Sequence, residues 1–304
     1  MGATAKASSH NFSEGSDPEM FEVRKSIERK FWKSLCKVFQ RLIDRIKGSN
    51  GTPEQIAKET TEFLNKPEMG QYLTRSISNM VKNERVESAR SWRDAVMRGS
   101  NGRKLFTMIS NEMNGPVGRR VAEIISQNVQ YIKSVPQEWA EYIIWYAYQQ
   151  AQKGNRPEAV VEELKKVVPE RMHTKLRLIA RTECAKANAA IVQARAEMCG
   201  IRAYIWRCVK DERSRGAHAA MDGILIFYND PPNPEALFPI SRGKGKPPKP
   251  YGNYHAGNTF NCRCYQEPVV DMRFLPDTIK VHDHGKVTTM TRGQIQRKYG
   301  NISG

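Results

Sequence analysis

The 304-residue chain carries 49 Lys+Arg against 32 Asp+Glu, a net charge of +17, and 39% of its residues are hydrophobic. That apolar share excludes wholesale disorder and is enough for one large domain or two ordinary ones. The longest apolar stretch, Tyr142 to Tyr148, is far short of the ~20 residues of a membrane-spanning helix. The charge excess points to a polyanionic partner, nucleic acid first, because neutralising phosphates releases condensed counterions; a basic, well-solvated surface is the plain alternative.

Residues 1–17 have neither a basic segment nor an apolar core of the kind that directs secretion, so they predict a flexible N-terminus on a soluble protein made inside the cell. Asp17 as cap and Pro18 at a first helical position then open a helix expected over 18–47. Phe21, Ile27, Phe31, Leu35, Val38, Leu42 and Ile46 mark its apolar face, and Arg24, Lys25, Arg29 and Lys33 fall on others. Such a helix can face a core, lie on a partner or on DNA, or rest in a membrane interface.

Thr52-Pro53-Glu54-Gln55 is a capping box for a helix to about Asn65. Helical periodicity recurs over Pro67–Arg98, Pro116–Lys133, Pro136–Lys153 and Pro157–Val168, each opened by a proline in its first turn, so residues 18–168 read as a helical domain. Trp139, Tyr142, Trp145, Tyr146 and Tyr148 crowd one of these helices. Their spacing suits core or subunit contact better than base stacking. A further helix, Pro169 to Met198, should end at Gly200 in a left-handed cap.

The texture then changes to short β-branched and aromatic runs, Ala203–Val209 and Ile224–Tyr228, with a third at Tyr265–Val270. Between the second and third lies a Pro/Gly-rich loop, Asn229–Gly257, whose Arg242, Lys244, Lys246 and Lys249 are candidate nucleic-acid contacts. Residues 271–304 read as a loosely packed basic C-terminal extension. The fold class expected is α+β: a mostly helical first half, then a small helix-plus-sheet domain over 169–270.

Six cysteines, Cys36, Cys184, Cys199, Cys208, Cys262 and Cys264, are spread too thinly for a disulfide framework and read as thiols or metal ligands. Cys262-Arg263-Cys264 puts two thiols on one side of an extended segment, where both can bind one soft cation such as zinc. His218 is the nearest third ligand and His255 an alternative; a packed thiol pair beside a buried His218 is the competing explanation. Asp211, His218, Asp222 and Asn261 could instead gather around an ion that activates water, as in a metal-dependent nuclease. No known hydrolase, P-loop or deaminase motif accompanies them, so no catalytic residue is assigned and the chain is read as non-enzymatic.

Taken in order, Arg181-Thr182-Glu183 with Asn188 on a helix, a YIW strand, Asp211-Glu212-Arg213-Ser214-Arg215 with His218 and Asp222-Gly223, a Pro-rich loop, and Asn261-Cys262-Arg263-Cys264 resemble the Mu F-like head-morphogenesis family of tailed phages. The resemblance covers about residues 169–270. It implies a minor capsid protein of the virion, in the capsid interior or at the portal vertex, made in the host cytoplasm. Its partners would be the portal protein, double-stranded DNA without sequence preference, and scaffold or major capsid protein, in head assembly, packaging or ejection. It also implies a structural role for Arg181, Glu183, Asn188, Asp211, Arg213, Asp222, Gly223 and Asn261, with Arg181, Glu183, Asp211 and Arg213 as a charged network tying helix to sheet. His218, Cys262 and Cys264 stand at the matching candidate metal positions. Thr259 stands where many relatives carry a histidine.

Overall fold

A computed structural model describes residues 18–63, 65–209, 214–240 and 250–304. In chain order the helices are α1 (Lys25–Gly48), α2 (Pro53–Phe63), α3 (Pro67–Met97), α4 (Gly102–Ser110), α5 (Pro116–Gln152) and α6 (Pro157–Met198). They are followed by β1 (Ala203–Arg207), α7 (Gly216–Ala220), β2 (Leu225–Phe227), α8 (Pro234–Leu237), β3 (Tyr265–Pro268), β4 (Thr278–Asp283), β5 (Lys286–Thr291) and α9 (Arg292–Tyr299). The fold is α+β, as the sequence predicts. The chain divides into a helical unit, Val23–Arg85 with Arg119–Ala187, and a sheet unit formed by residues up to Glu22, Val86–Gly118 and Asn188–Gly304.

In the helical unit α1 buries Ile27, Phe31, Leu35, Val38, Phe39, Leu42, Ile43 and Ile46, which settles its apolar face as a core face. Three side-chain contacts fix neighbouring helices: Ser34 with Ser76 at 2.7 Å, Cys36 with His173 at 3.6 Å, and Lys175 with Glu138 at 3.1 Å. The capping box of α2 forms as expected, Thr52 N donating to Gln55 Oε1 and Gln55 N to Thr52 Oγ1.

Helix boundaries differ from the sequence expectation in three places, each with a physical reason. The first helix starts at Lys25, not Pro18, after a single tight turn at Pro18–Phe21. The Phe21 carbonyl accepts from the Asn188 side chain at 3.2 Å and is thus taken from helical bonding. Pro136 and Pro169 do not start helices but lie inside α5 and α6. An internal proline removes one backbone hydrogen bond, and the burial of Val135, Trp139, Val168 and Met172 around these two holds the helices continuous. The short α4, unmarked by any cap in the sequence, is held by its buried Leu105 and Ile109.

α6 ends as expected. Gly200 has φ +74°, and Ile201 N donates to Ala196 O while Gly200 N donates to Glu197 O, the paired bonds of a left-handed cap.

In the sheet unit the strand order is β3-β1-β2-β4-β5, antiparallel except for β2 beside β4. Strand alternation sorts the side chains into two cores. Ala203, Ile205, Leu225, Phe227, Ile279 and Val281 face one side and are covered by Ile295 and Ile302. Tyr204, Trp206, Ile224 and Ile226 face the other, with Cys208, Met221, Tyr254, Cys262 and Cys264. A third cluster joins Phe21, Trp92, Leu105, Ile109, Val192 and Ile201.

The segment 271–304 is therefore not a loose extension. It supplies two strands and a helix, and Ile279, Val281, Ile295 and Ile302 are each 3% exposed or less. Its hairpin turns on His284-Gly285, both with positive φ (47° and 79°), as a two-residue loop requires. The Pro/Gly-rich loop is also partly structured, with α8 and a buried Tyr254-His255-Ala256 segment. Residues 1–17, Asp211, Arg213, Arg242, Lys244, Lys246 and Lys249 lie outside the described residues.

Candidate functional site

The site lies on the Trp206 face of the sheet. α7 brings in His218, and the turn before β3 brings in Cys262 and Cys264. Asn261 makes that turn possible with a left-handed backbone (φ 51°), a conformation asparagine tolerates better than most residues. Cys262 N then donates to Thr259 O, and Cys264 N donates to Cys262 Sγ at 3.3 Å. A backbone N–H aimed at a sulfur favours the thiolate.

His218 Nδ1 is 3.5 Å from Cys262 Sγ and 3.4 Å from Cys264 Sγ, and the three donor atoms all lie within 4.8 Å of one another. A tetrahedral zinc ion with Zn–S of about 2.3 Å and Zn–N of about 2.05 Å has an N-to-S edge of about 3.6 Å. Both N-to-S edges of the trio thus have the dimensions of such a site. All three residues are buried, at 2–3% exposure.

The far side of the imidazole favours one tautomer, through a 2.9 Å contact with Tyr254 that is shorter than the 3.5 Å one with Arg215 Nη1. Tyr254 OH donates to both Glu235 oxygens, at 2.7 and 2.8 Å, and stands 2.9 Å from His218 Nε2. With the phenol proton committed to the carboxylate, Nε2–H donates to the phenol oxygen, and in the neutral ring the lone pair is on Nδ1, facing the sulfurs. Burial and the Glu235 contact push the Tyr254 pKa upward, which keeps that proton in place. A histidine supported in this way by a carboxylate network is the usual arrangement behind metal-ligating imidazoles. Trp206 closes the side of the ring edge-on, with centroids 5.8 Å apart.

The two thiols are unlike. A hydrogen bond from Cys264 and then the His218 contacts hold Cys262 well below its ordinary pKa, against burial. Burial, reinforced by contact with the Cys208 and Cys262 sulfurs, pushes Cys264 well above.

His255 is not drawn into the trio. Its Nε2 donates to Tyr228 O (3.2 Å) and its Nδ1 meets Tyr204 OH (3.1 Å). Burial lowers its pKa to about 4, so the ring is a neutral structural bridge. Asp222 Oδ1 accepts from Cys208 N at 2.9 Å, and Gly223, at φ +81°, donates its N–H to Trp206 O at 2.8 Å. These two residues build the turn that leads into β2.

Arg181 pairs with Glu28 on α1 (3.3 Å), and Glu183, its carboxyl pKa raised by burial, with Lys186 (3.3 Å). Both described pairs belong to the helical unit; Asp211 and Arg213, the other members of the expected network, fall outside the described residues. The aromatic cluster of α5 also divides. Trp139 and Ile143 are core residues, whereas Ile144, Trp145 and Tyr148 are 42%, 56% and 60% exposed.

The sequence reading missed Glu235 and Tyr254 around the site, and took Cys208 only as one of six thiols or metal ligands without joining it to the trio. For Cys208 a signal exists: in an extended run, 204, 206 and 208 share a face. It also missed the buried Arg195 of α6. Its guanidinium grips Glu112 through Nε and Nη2 and reaches Ser88 through Nη1.

Residues 142–267 match the family described as Phage Mu protein F like protein. Over this segment, about two fifths of the chain, the protein is similar to that family. An uncharacterized protein of Haemophilus influenzae is 29% identical over 175 residues, which are 58% of this chain and 34% of that protein, so the match spans about a third of the relative's length. No solved structure matches. Among the described residues, no helix is long and apolar enough to cross a membrane.

Proposed function

We propose that this is a minor head protein of a phage virion, placed at the portal vertex or capsid interior. There it contacts DNA without reading sequence and acts in head assembly, packaging or ejection. The match over residues 142–267 carries this reading. Two further observations support it. The net charge of +17 suits phosphate binding, and Ile144, Trp145 and Tyr148, inside the matched segment, offer exposed apolar area to the portal, scaffold or major capsid protein. In this reading the chain performs no covalent chemistry, and His218, Cys262 and Cys264 hold zinc as a structural staple under the Pro/Gly-rich loop.

The nuclease alternative finds less support. The Asp222 carboxylate is committed to a backbone amide, and His218 is 3% exposed.

The test is to incubate purified protein with supercoiled plasmid, with and without Mg²⁺, Mn²⁺ or Zn²⁺, and to run the mixture before and after deproteinisation. The expected result is a mobility shift that weakens steeply with salt, with log affinity falling by about 0.9 per phosphate contact for each unit of log salt, and intact plasmid afterwards. Metal-dependent nicking lost in His218→Ala would put the nuclease ahead. Absence of the protein from purified virions would overturn the head assignment.

A further inference from the structure

The trio of His218, Cys262 and Cys264 defines three corners of a tetrahedron, and a structural zinc site is closed by a fourth protein ligand. The surroundings leave few groups free to supply it. Tyr254 and Glu235 are engaged on the opposite nitrogen of His218, both His255 nitrogens have partners, and Thr259 stands in the turn with its carbonyl accepting from Cys262 N. Nor does the pocket resemble an open catalytic site, since its walls are Tyr204, Trp206, Met221, Ile224 and Ile226.

One further soft donor lies beside the trio. Cys208 follows β1 directly, on the face that carries Tyr204 and Trp206, and belongs to the same buried cluster as Cys262 and Cys264. Its sulfur lies in hydrogen-bonding contact with that of Cys264, just outside the convergent trio. Its backbone is pinned by the 2.9 Å bond from Cys208 N to Asp222. A cysteine has a single side-chain torsion to adjust, so a cation between the other three donors can recruit this thiolate without unpairing the strand.

We infer that Cys208 is the fourth ligand, making a closed Cys₃His zinc site that ties together the end of β1, α7 and the turn before β3. The set of three soft sulfurs and one imidazole suits zinc and excludes the hard, oxygen-seeking magnesium and calcium ions. The inference rests on the trio holding zinc, and it is independent of the DNA-binding role.

Full-length protein purified from zinc-supplemented cells is the material for the test. Metal analysis is expected to give one zinc per chain, and X-ray absorption at the zinc edge three sulfurs at about 2.3 Å with one nitrogen at about 2.0–2.1 Å. Replacing zinc by cobalt gives a second readout: in Cys208→Ser the sulfur-to-cobalt charge-transfer band should lose about a third of its intensity, one thiolate of three, while cobalt stays bound. Two sulfurs in the wild-type absorption spectrum, or an unchanged cobalt band in Cys208→Ser, would overturn the role of Cys208 and leave the trio standing. Protein without stoichiometric zinc, or with Cys262 and Cys264 joined as a disulfide, would overturn the metal site itself. The wild-type spectrum decides the sulfur count even if the variant fails to fold.

Discussion

Two buried polar clusters of the sheet unit differ in what they leave unsatisfied. Arg195, Glu112 and Ser88 answer one another, a bidentate guanidinium on a carboxylate with a hydroxyl on the third nitrogen. His218, Cys262 and Cys264 instead aim a lone pair and two sulfurs at one point. The first is complete as a set of protein groups, and the second has the shape of a coordination shell. The difference teaches that burial alone does not mark a functional group: Arg195 is fully buried and structural, whereas converging donors of one chemical kind point outward to a ligand.

The contrast can be broken first at its closed member. Arg195→Leu strands the Glu112 carboxylate in the core and should cost about 3–5 kcal/mol of stability in a denaturant titration. A loss below about 1 kcal/mol would mean that water reaches the cluster. At the open member, chelation of zinc should lower stability by about 4 kcal/mol where free zinc had stood about a thousandfold above its Kd. Cys262→Ser/Cys264→Ser should melt like the chelated wild type and be indifferent to chelator; continued sensitivity to chelator would place the metal elsewhere.

The neighbouring His255 gives a pH test of smaller size. Its folded pKa, about 4, lies below the ordinary value of 6.5. Below 6.5 the unfolded chain takes up the proton first, so stability should fall with acidification until about pH 4, by about 2–3 kcal/mol in all. Nearby Asp230, which favours the charged ring, opposes the effect only in part. His255→Gln should flatten this limb; an unaltered slope between pH 6.5 and 4 would assign it to other groups. Tyr254→Phe should have the smallest effect, about 1–2 kcal/mol, by leaving His218 Nε2–H and Glu235 without their shared partner. Because it frees the imidazole tautomer, it should also weaken zinc binding, which a competition titration with a chromophoric chelator would detect.

Much of this unit is legible in the sequence where local and global preferences agree. The runs around Ile205 and Ile226 announce β1 and β2 because both of their faces are buried. Gly200 marks the end of α6 because only a left-handed residue fits there. Pro136 and Pro169 mislead because a proline opening a helix and a proline tolerated inside one look alike until the packing around them is known. The C-terminal hairpin was hidden by its turn: His284-Gly285 has the geometry of an Asn-Gly pair without its usual first residue, and β5 is largely exposed, so its threonines carry no clear apolar alternation. At the site, His218 and the Cys-x-Cys pair are visible as residue types. Glu235 and Tyr254 are not, since they reach His218 from a loop of no regular period. The Arg195–Glu112 pair, 83 residues apart, leaves no local trace at all.

The division of the chain also sets an order in time. The helical unit is complete once Ala187 has been made, but the sheet unit is assembled from separated pieces. Trp92, Leu105 and Ile109 belong to a core whose other wall, Val192, Ala196 and Ile201, is synthesised later. At ribosomal speeds of about 5–20 residues per second, these side chains wait roughly 4 to 20 seconds for their partners. The nascent chain therefore passes through a stage in which one unit can close while the other still shows apolar surface to the cell, a window in which a holding chaperone would act.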